Sequence, residues 1–232
     1  AGHGGDRTVA RLAQLDRGAD MSHLTAHRAG FPDGYTAVTR AADPANATGI
    51  GFGVLRLAAG ERWSQPVERE TAWLLMSGSL RVGAGDVEAV LSRVSLFDES
   101  ASCLQVELVL GEVVTFPGGW ASYPPHHHPQ PEIYHYRFTA PQGYGHAELG
   151  EQVVKVRQYD SICIPAGNDH AQCAAPGYGM YYSWVIRHLP GLPYTVPEFT
   201  PEHAWTMAPG AQFWWPGDES CARRRAAHAR ST

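Results

Sequence analysis

The densest chemistry in the chain lies in Tyr123-Pro124-Pro125-His126-His127-His128-Pro129-Gln130-Pro131-Glu132-Ile133-Tyr134, a short span carrying three imidazoles and a carboxylate. Side chains of an extended strand alternate between faces, so His126 and His128 point one way and His127 the other. Glu132 shares the parity of the first two and heads the next apolar run, so it can converge with both. Downstream, Pro165-Ala166-Gly167-Asn168-Asp169-His170 supplies a turn and a further histidine. Three imidazoles and a carboxylate form a mixed N/O donor set for one divalent ion of borderline softness, with positions left for water or substrate. The expected ligands are His126, His128, Glu132 and His170. The donor set suits Zn or Mn, and Fe and Ni are also compatible with it. A histidine run can be a tag remnant, but tags sit at termini, and this run is internal and flanked by strand signals. His135 and His146, in strand-like contexts, are read as packing or locally bonded residues, as are the isolated His3, His23, His27, His203 and His228.

The elements that must position these groups are short and β-rich. Apolar or alternating runs recur at Ile50–Leu57, Ala72–Val82, Val87–Phe97, Leu104–Phe116, Ile133–Thr139, Val153–Val156, Ile162–Pro165 and Met180–His188. Most are bounded by Gly, Pro, Asp or Asn, the punctuation of a sandwich or barrel. The 25 glycines and 17 prolines interrupt the chain too often for long helices. Only Arg7–Leu15 and Glu219–His228 read as helical. Sliding the chain by 62 residues sets Glu70-Thr71-Ala72-Trp73 on Glu132-Ile133-Tyr134-His135, and Ser64 and Pro66 where the second half has His126 and His128. An internal duplication follows, in which the first half keeps the carboxylate and lacks the imidazoles. Asp98–Cys103 is the natural join.

Composition narrows the function classes. The 232 residues carry 44% hydrophobic and 18% charged side chains, enough apolar material for a packed core. A formal net charge of -5 gives no electrostatic reason to bind nucleic acid or an anionic membrane. No apolar run approaches the roughly 20 residues of a membrane helix. The start, Ala1-Gly2-His3-Gly4-Gly5-Asp6-Arg7, lacks the basic-then-apolar order of a secretory signal, so a cytoplasmic protein is expected. Lys155 is the only lysine, which excludes a mechanism needing several. Cys103, Cys163, Cys173 and Cys221 show no CxxC spacing and read as free thiols. The pair Trp214-Trp215 reads as structural or as a contact surface.

HxHxxxE followed by PxGxxH resembles the two-part metal motif of the cupin superfamily, and the duplicated β plan resembles a bicupin. A closer resemblance is to the 5-deoxy-glucuronate isomerase family of myo-inositol catabolism. It runs through Gly111-Glu112-Val113, Pro117-Gly118-Gly119-Trp120 and Ser122-Tyr123-Pro124-Pro125-His126-x-His128, then Glu132-Ile133-Tyr134-x-Tyr136-Arg137-Phe138 and Pro141-Gln142-Gly143. It continues through Asp160, Pro165-x-Gly167, His170, Ala175-Pro176-Gly177-Tyr178 and Tyr181-Tyr182 to Pro201-Glu202-His203-Ala204-Trp205. In residues 22–97 the likeness is thinner, resting on Gly51-Phe52-Gly53-Val54, Gly60-Glu61 and Leu74–Val82. Members of the family have a longer loop between the second histidine and the glutamate, a longer segment joining the halves, and usually tyrosine at the position of His135.

The resemblance implies a mostly β bicupin of two barrel or jelly-roll-like domains. An N-terminal domain without a metal site would span residues 22–102, a metal-binding domain 103–205 and a tail 206–232. It implies a metal-dependent aldose–ketose isomerase acting on a small-molecule sugar acid, most directly converting 5-deoxy-glucuronate to 5-keto-2-deoxy-gluconate. A divalent ion would polarise the carbonyl, and a positioned acid/base would add about 10²–10⁴-fold. Substrate contacts would come from Tyr123, Tyr134, Gln142 and Tyr182. Arg137 could clamp the substrate carboxylate as a bidentate partner, although its parity with His135 directs it away from the face of Glu132. Glu132 enters as a ligand, and no catalytic base is singled out. Assembly as a homo-oligomer is compatible with this reading. The competing readings are a uronate ketol-isomerase of pectin breakdown, a metal-dependent bicupin dioxygenase using the same ligands, and a non-enzymatic cupin, against which four intact ligands speak.

Overall fold

The computed structural model describes residues 22–66, 70–84, 86–93, 108–121 and 123–214. The two expected helices, the join at Asp98–Cys103, Cys103, Cys221, Trp215, His3 and His228 lie outside them. The described chain is nearly all strand. Its first part holds β1 (Ser22–Leu24), β2 (Gly34–Ala37), β3 (Gly53–Arg56), β4 (Gly78–Ala84) and β5 (Val87–Arg93). Next come β6 (Leu108–Thr115), β7 (His126–His127), β8 (Glu132–Phe138), β9 (Tyr144–Leu149) and β10 (Gln152–Arg157). The last are β11 (Ser161–Ile164), β12 (His170–Ala174), β13 (Met180–Arg187) and β14 (Glu198–Phe199). A short 3₁₀ turn, Ala204–Met207, follows within the expected closing segment.

Two five-stranded antiparallel sheets, ordered β1-β11-β8-β13-β6 and β10-β9-β12-β7-β14, carry the second half. They share one core, in which Tyr134, Tyr136 and Phe138 of β8 and Tyr182 of β13 meet Ala147 and Leu149 of β9 and Ala174 of β12. Two two-stranded sheets, β2-β3 and β4-β5, make up the first half. The chain is therefore mostly β, in two groups of sheets compatible with a bicupin. The expected run Ala72–Val82 forms a strand only from Gly78 onward. Strands β2, β9 and β12 appear where no run was read.

The two groups interlock. Strand β1 pairs antiparallel with β11, with His23 opposite Ile162, so the first segment of the chain completes the sheet of the second half. The outward face of that sheet is covered by Ile50 together with the partly buried Leu24 and Phe52, packed on Ile133, Cys163 and Val185. Asp160 fastens the same segment: Arg28 donates to both its carboxylate oxygens at 2.7 Å, and His23 Nε2 lies 2.8 Å away. A second tie is the buried ion pair of Arg93 in β5 with Glu112 in β6, the latter also accepting from the Tyr181 hydroxyl.

Candidate metal centre

Ladder register brings the candidate ligands together. His126 in β7 stands directly opposite His170 in β12, and their rings lie 4.3 Å apart. The Gly167 amide donates to the His128 carbonyl at 2.9 Å, closing the PxGxxH turn against the HxH segment. Gly167 takes φ +74°, the left-handed conformation that glycine adopts without a Cβ penalty. Glu132 begins β8 with its side chain on the same inward face as Tyr134 and Tyr136, because strand parity is two. Its partner across β13 is Ile186.

Three of the four expected ligands form a buried group: His128, Glu132 and His170 offer donor atoms all within 4.8 Å of one another. Glu132 Oε1 lies 2.6 Å from His170 Nε2 and 3.4 Å from His128 Nε2. The closer approach lacks hydrogen-bond angles, so Glu132 Oε1 and His170 Nε2 are buried without a hydrogen-bond partner, as is His128 Nδ1. Buried polar atoms left so cost about 1–3 kcal/mol each unless something else satisfies them. A cation between them would do so. His170 Nδ1 sits 2.9 Å from the Asn168 carbonyl and His126 Nδ1 2.8 Å from the Pro124 carbonyl. An Nδ1–H donated to each carbonyl leaves Nε2 as the free lone pair, the outer-shell arrangement typical of ligating histidines. His126 borders the group, with its ring centroid 6.4 Å from that of His128.

Electrostatics favour the ligating protonation states of Glu132 and His126, whereas His170 is drawn toward the protonated form by Glu132. Burial alone would raise the Glu132 carboxyl, but His170 and His128 outweigh it and bring it down to about 2. Burial and the neighbouring His170 push His126 down to about 4. Burial would lower His170 too, yet the adjacent Glu132 raises it. Tyr134 and Tyr182, stacked at 4.8 Å, are both held well above the usual phenol range by burial and by the nearby Glu132 charge, so they stand as hydrogen-bond donors.

A cavity of about 210 Å³ opens over this group. It is smaller than the roughly 300–1,000 Å³ of drug-sized sites and suits a small metabolite. Tyr123, Tyr134 and Tyr182 line it, as expected, together with Trp184 and Tyr194. Gly111 makes room for Trp184, whose ring occupies the space a Cβ there would take.

Two expected substrate residues are placed elsewhere. Arg137 lies on the outward face of β8, its guanidinium 4.0 Å from the Tyr159 ring centroid, and does not line the cavity. The physical reason is strand parity: residues 133, 135 and 137 face away from 132, 134 and 136. Gln142 is exposed in the turn between β8 and β9 and is likewise absent from the lining. His127 faces outward, bonded to Asp169 at 2.7 Å. His135 packs beneath Phe52, with Nδ1 2.9 Å from Ser161 Oγ. Burial pushes its imidazole down to about 3. The residue that sequence reasoning passed over is Gln172, which lines the cavity two positions after His170. Its parity with His170 was the available signal.

The KduI/IolB family model matches residues 23–107 and 105–206. The chain belongs to the KduI/IolB family. Two relatives named 5-deoxy-glucuronate isomerase are similar over 142 residues. That of Geobacillus kaustophilus is 30% identical, covering 54% of this chain and 48% of its own, and that of Geobacillus thermodenitrificans is 29% identical with the same coverage. The chain spans about half the length of these curated relatives. Among solved structures, an IolB-like protein from Salmonella typhimurium LT2 is similar at 23% identity and TM-score 0.42, covering 56% of this chain and 53% of that one. A cupin-like protein from Thermotoga maritima is similar at 21% identity and TM-score 0.33, covering 45% and 75%. Among the described residues no helix is long and apolar enough to cross a membrane.

Proposed function

We propose that the protein is a metal-dependent aldose–ketose isomerase acting on a deoxy sugar acid, most directly 5-deoxy-glucuronate to 5-keto-2-deoxy-gluconate. One observation carries the reading: His128, Glu132 and His170 converge with unsatisfied donor atoms at the floor of a small cavity, in a chain of this family. His126, His128, Glu132 and His170 hold one divalent ion, Zn or Mn by donor chemistry, with Fe and Ni compatible. Such an ion supplies Lewis-acid polarisation of the substrate carbonyl, which acidifies the neighbouring C–H. The chain's own residues do the rest. Tyr134 and Tyr182, kept protonated, donate hydrogen bonds to substrate oxygens, and Tyr123 closes the cavity beside His126 at 5.5 Å between rings. Trp184 and Tyr194 wall off water. The first half, residues 22–102, is a partner without a metal site, and residues 103–205 form the metal domain.

Elemental analysis and an NMR assay on the sugar acid test this together. Close to one divalent ion per chain and turnover of 5-deoxy-glucuronate are expected. Metal-free protein after His128→Ala plus His170→Ala is expected to be inactive. A folded, metal-loaded protein that turns over neither this acid nor the uronate of the pectin-type reaction refutes the isomerase, and oxygen consumption with substrate would replace it by a dioxygenase.

A further inference from the structure

We propose that Gln172 is the residue that reads the substrate's carboxylate, through a side-chain amide whose orientation is locked by Tyr136. The inference rests on the sugar-acid reading above. Gln172 is 2% exposed, on the floor of the cavity, and its Oε1 accepts a 2.5 Å hydrogen bond from the Tyr136 hydroxyl. Its Nε2 is buried without a partner. Tyr136 is 0% exposed, and Gln172 Oε1 is the acceptor its buried hydroxyl meets. Turning the amide over would leave that hydrogen facing a nitrogen with no lone pair to accept it, and would strand a buried donor in the core. The lock therefore leaves the amide's N–H donors on the side away from Tyr136, in a residue that lines the cavity.

An amide N–H without a protein partner can donate to a carboxylate oxygen, and the lining offers no cation to compete for it. No Arg or Lys is among the lining residues, and Arg137 lies on the opposite face of β8. With a divalent ion held by Glu132 and the imidazoles the ligand group is net positive, and the substrate's carbonyl oxygen reaches it only if the carboxylate is held at a separate point. Gln172 satisfies this, because it sits two positions along β12 from His170, about 6–7 Å. Substrate oxygens near the ligand group and a carboxylate at the amide would together fix the direction in which a sugar acid lies.

The test measures binding of D-glucuronate and of D-glucose, which lacks the carboxylate, to the metal-loaded full chain by calorimetry. The variants are Gln172→Leu, Gln172→Glu and Tyr136→Phe. Gln172→Glu keeps an acceptor for Tyr136 and so preserves the fold while replacing donors with a like charge. Wild type is expected to prefer glucuronate, and both Gln172 variants to narrow that preference at least about tenfold, a change of about 1.4 kcal/mol. Metal content of Gln172→Glu is expected to stay at the wild-type value, while its buried carboxylate lowers Tm. Tyr136→Phe, which frees the amide, is expected to narrow the preference in the wild type and to add nothing in the Gln172→Leu background; an additive effect would reduce Tyr136 to a packing role. An unchanged preference in both Gln172 variants overturns the proposal. If glucuronate binding depends on Gln172 but 5-deoxy-glucuronate is not turned over, the carboxylate assignment stands and the isomerase reading falls. If wild type turns over 5-deoxy-glucuronate but shows no preference for glucuronate over glucose, the carboxylate assignment falls and the isomerase reading stands.

Discussion

Glu132 sets the electrostatics of the cavity. It is 1% exposed, touches two imidazoles, and keeps its charge only because they offset its burial. Replacing it by Gln deletes a proposed ligand and the charge that raises His170. Turnover is expected to fall by at least about 100-fold, beyond the effect of disturbing an outer-shell partner alone, with metal content reduced. His127→Ala, between the same strands but facing Asp169 and the surface, is expected to retain metal and most activity. Comparable losses at the two positions, measured by elemental analysis and an NMR assay, would mean that the histidines are a structural cluster. Parity made this much of the site legible: residues 126, 128 and 132 fall on one face by counting alone. The same count directed Arg137 away from the cavity. Gln172, between Ala171 and Cys173, belongs to no motif, and its parity with His170 is the one sequence signal that it bears.

At the scale of elements, strands β9 and β12 were the least legible, and their composition explains it. Tyr144–Leu149 and His170–Ala174 bury small residues, Gly145, Ala147, Ala171 and Ala174, where bulky side chains from the facing sheet fill the core. At Gly145 a Cβ would press against the Cys173 carbonyl and the Met180 sulfur, so the gap in hydrophobic pattern is what allows the sheets to close. Propensity scales see such segments as weak strands, while packing makes them strands. β1 poses the opposite problem, since three residues are held by a charge rather than by their own pattern. Asp160 sits at 0% exposure between Arg28, His23 and the Arg157 amide. Burial would raise its carboxyl, but the Arg28 and His23 hydrogen bonds lower it below its ordinary value. A depressed carboxylate contributes stability that is present above the unfolded pKa, near 4, and lost as pH falls through the lower folded value. Asp160→Asn is therefore expected to cost about 2 kcal/mol at pH 7 and lower Tm by about 4–8 °C. The deficit should shrink below about pH 4, where the wild type loses the same charge. A constant deficit from pH 7 to pH 3 in thermal melts would assign the loss to packing.

For the whole molecule, the 62-residue slide suggests a relation between the halves but carries no information on how they meet. Paired sequences reveal equivalence, whereas the contact between them depends on which face each half leaves uncovered. Here the outward face of β8, β11 and β13 is apolar at Ile133, Cys163 and Val185, and residues 22–56 cover it with Leu24, Ile50 and Phe52. A strand lent to a neighbour's sheet and a shared core cannot come apart at low cost. Burying a side chain such as Ile50, 4% exposed, stabilises by about 1.5–3 kcal/mol, and its removal leaves a cavity besides. Residues 22–56 are thus expected to unfold together with β6–β14. Native-state hydrogen exchange measures this directly, because amides that open in one cooperative unit share one opening free energy. The paired amides of β1 and β11 are expected to exchange at matching free energies close to that of β8. Ile50→Ala is expected to lower all of them by about 2–4 kcal/mol, although the substitution lies in the first half. If β1 instead opens several kcal/mol below β11, or if Ile50→Ala leaves the protection of β8 untouched, the first half is a detachable appendage and β6–β14 stand without it.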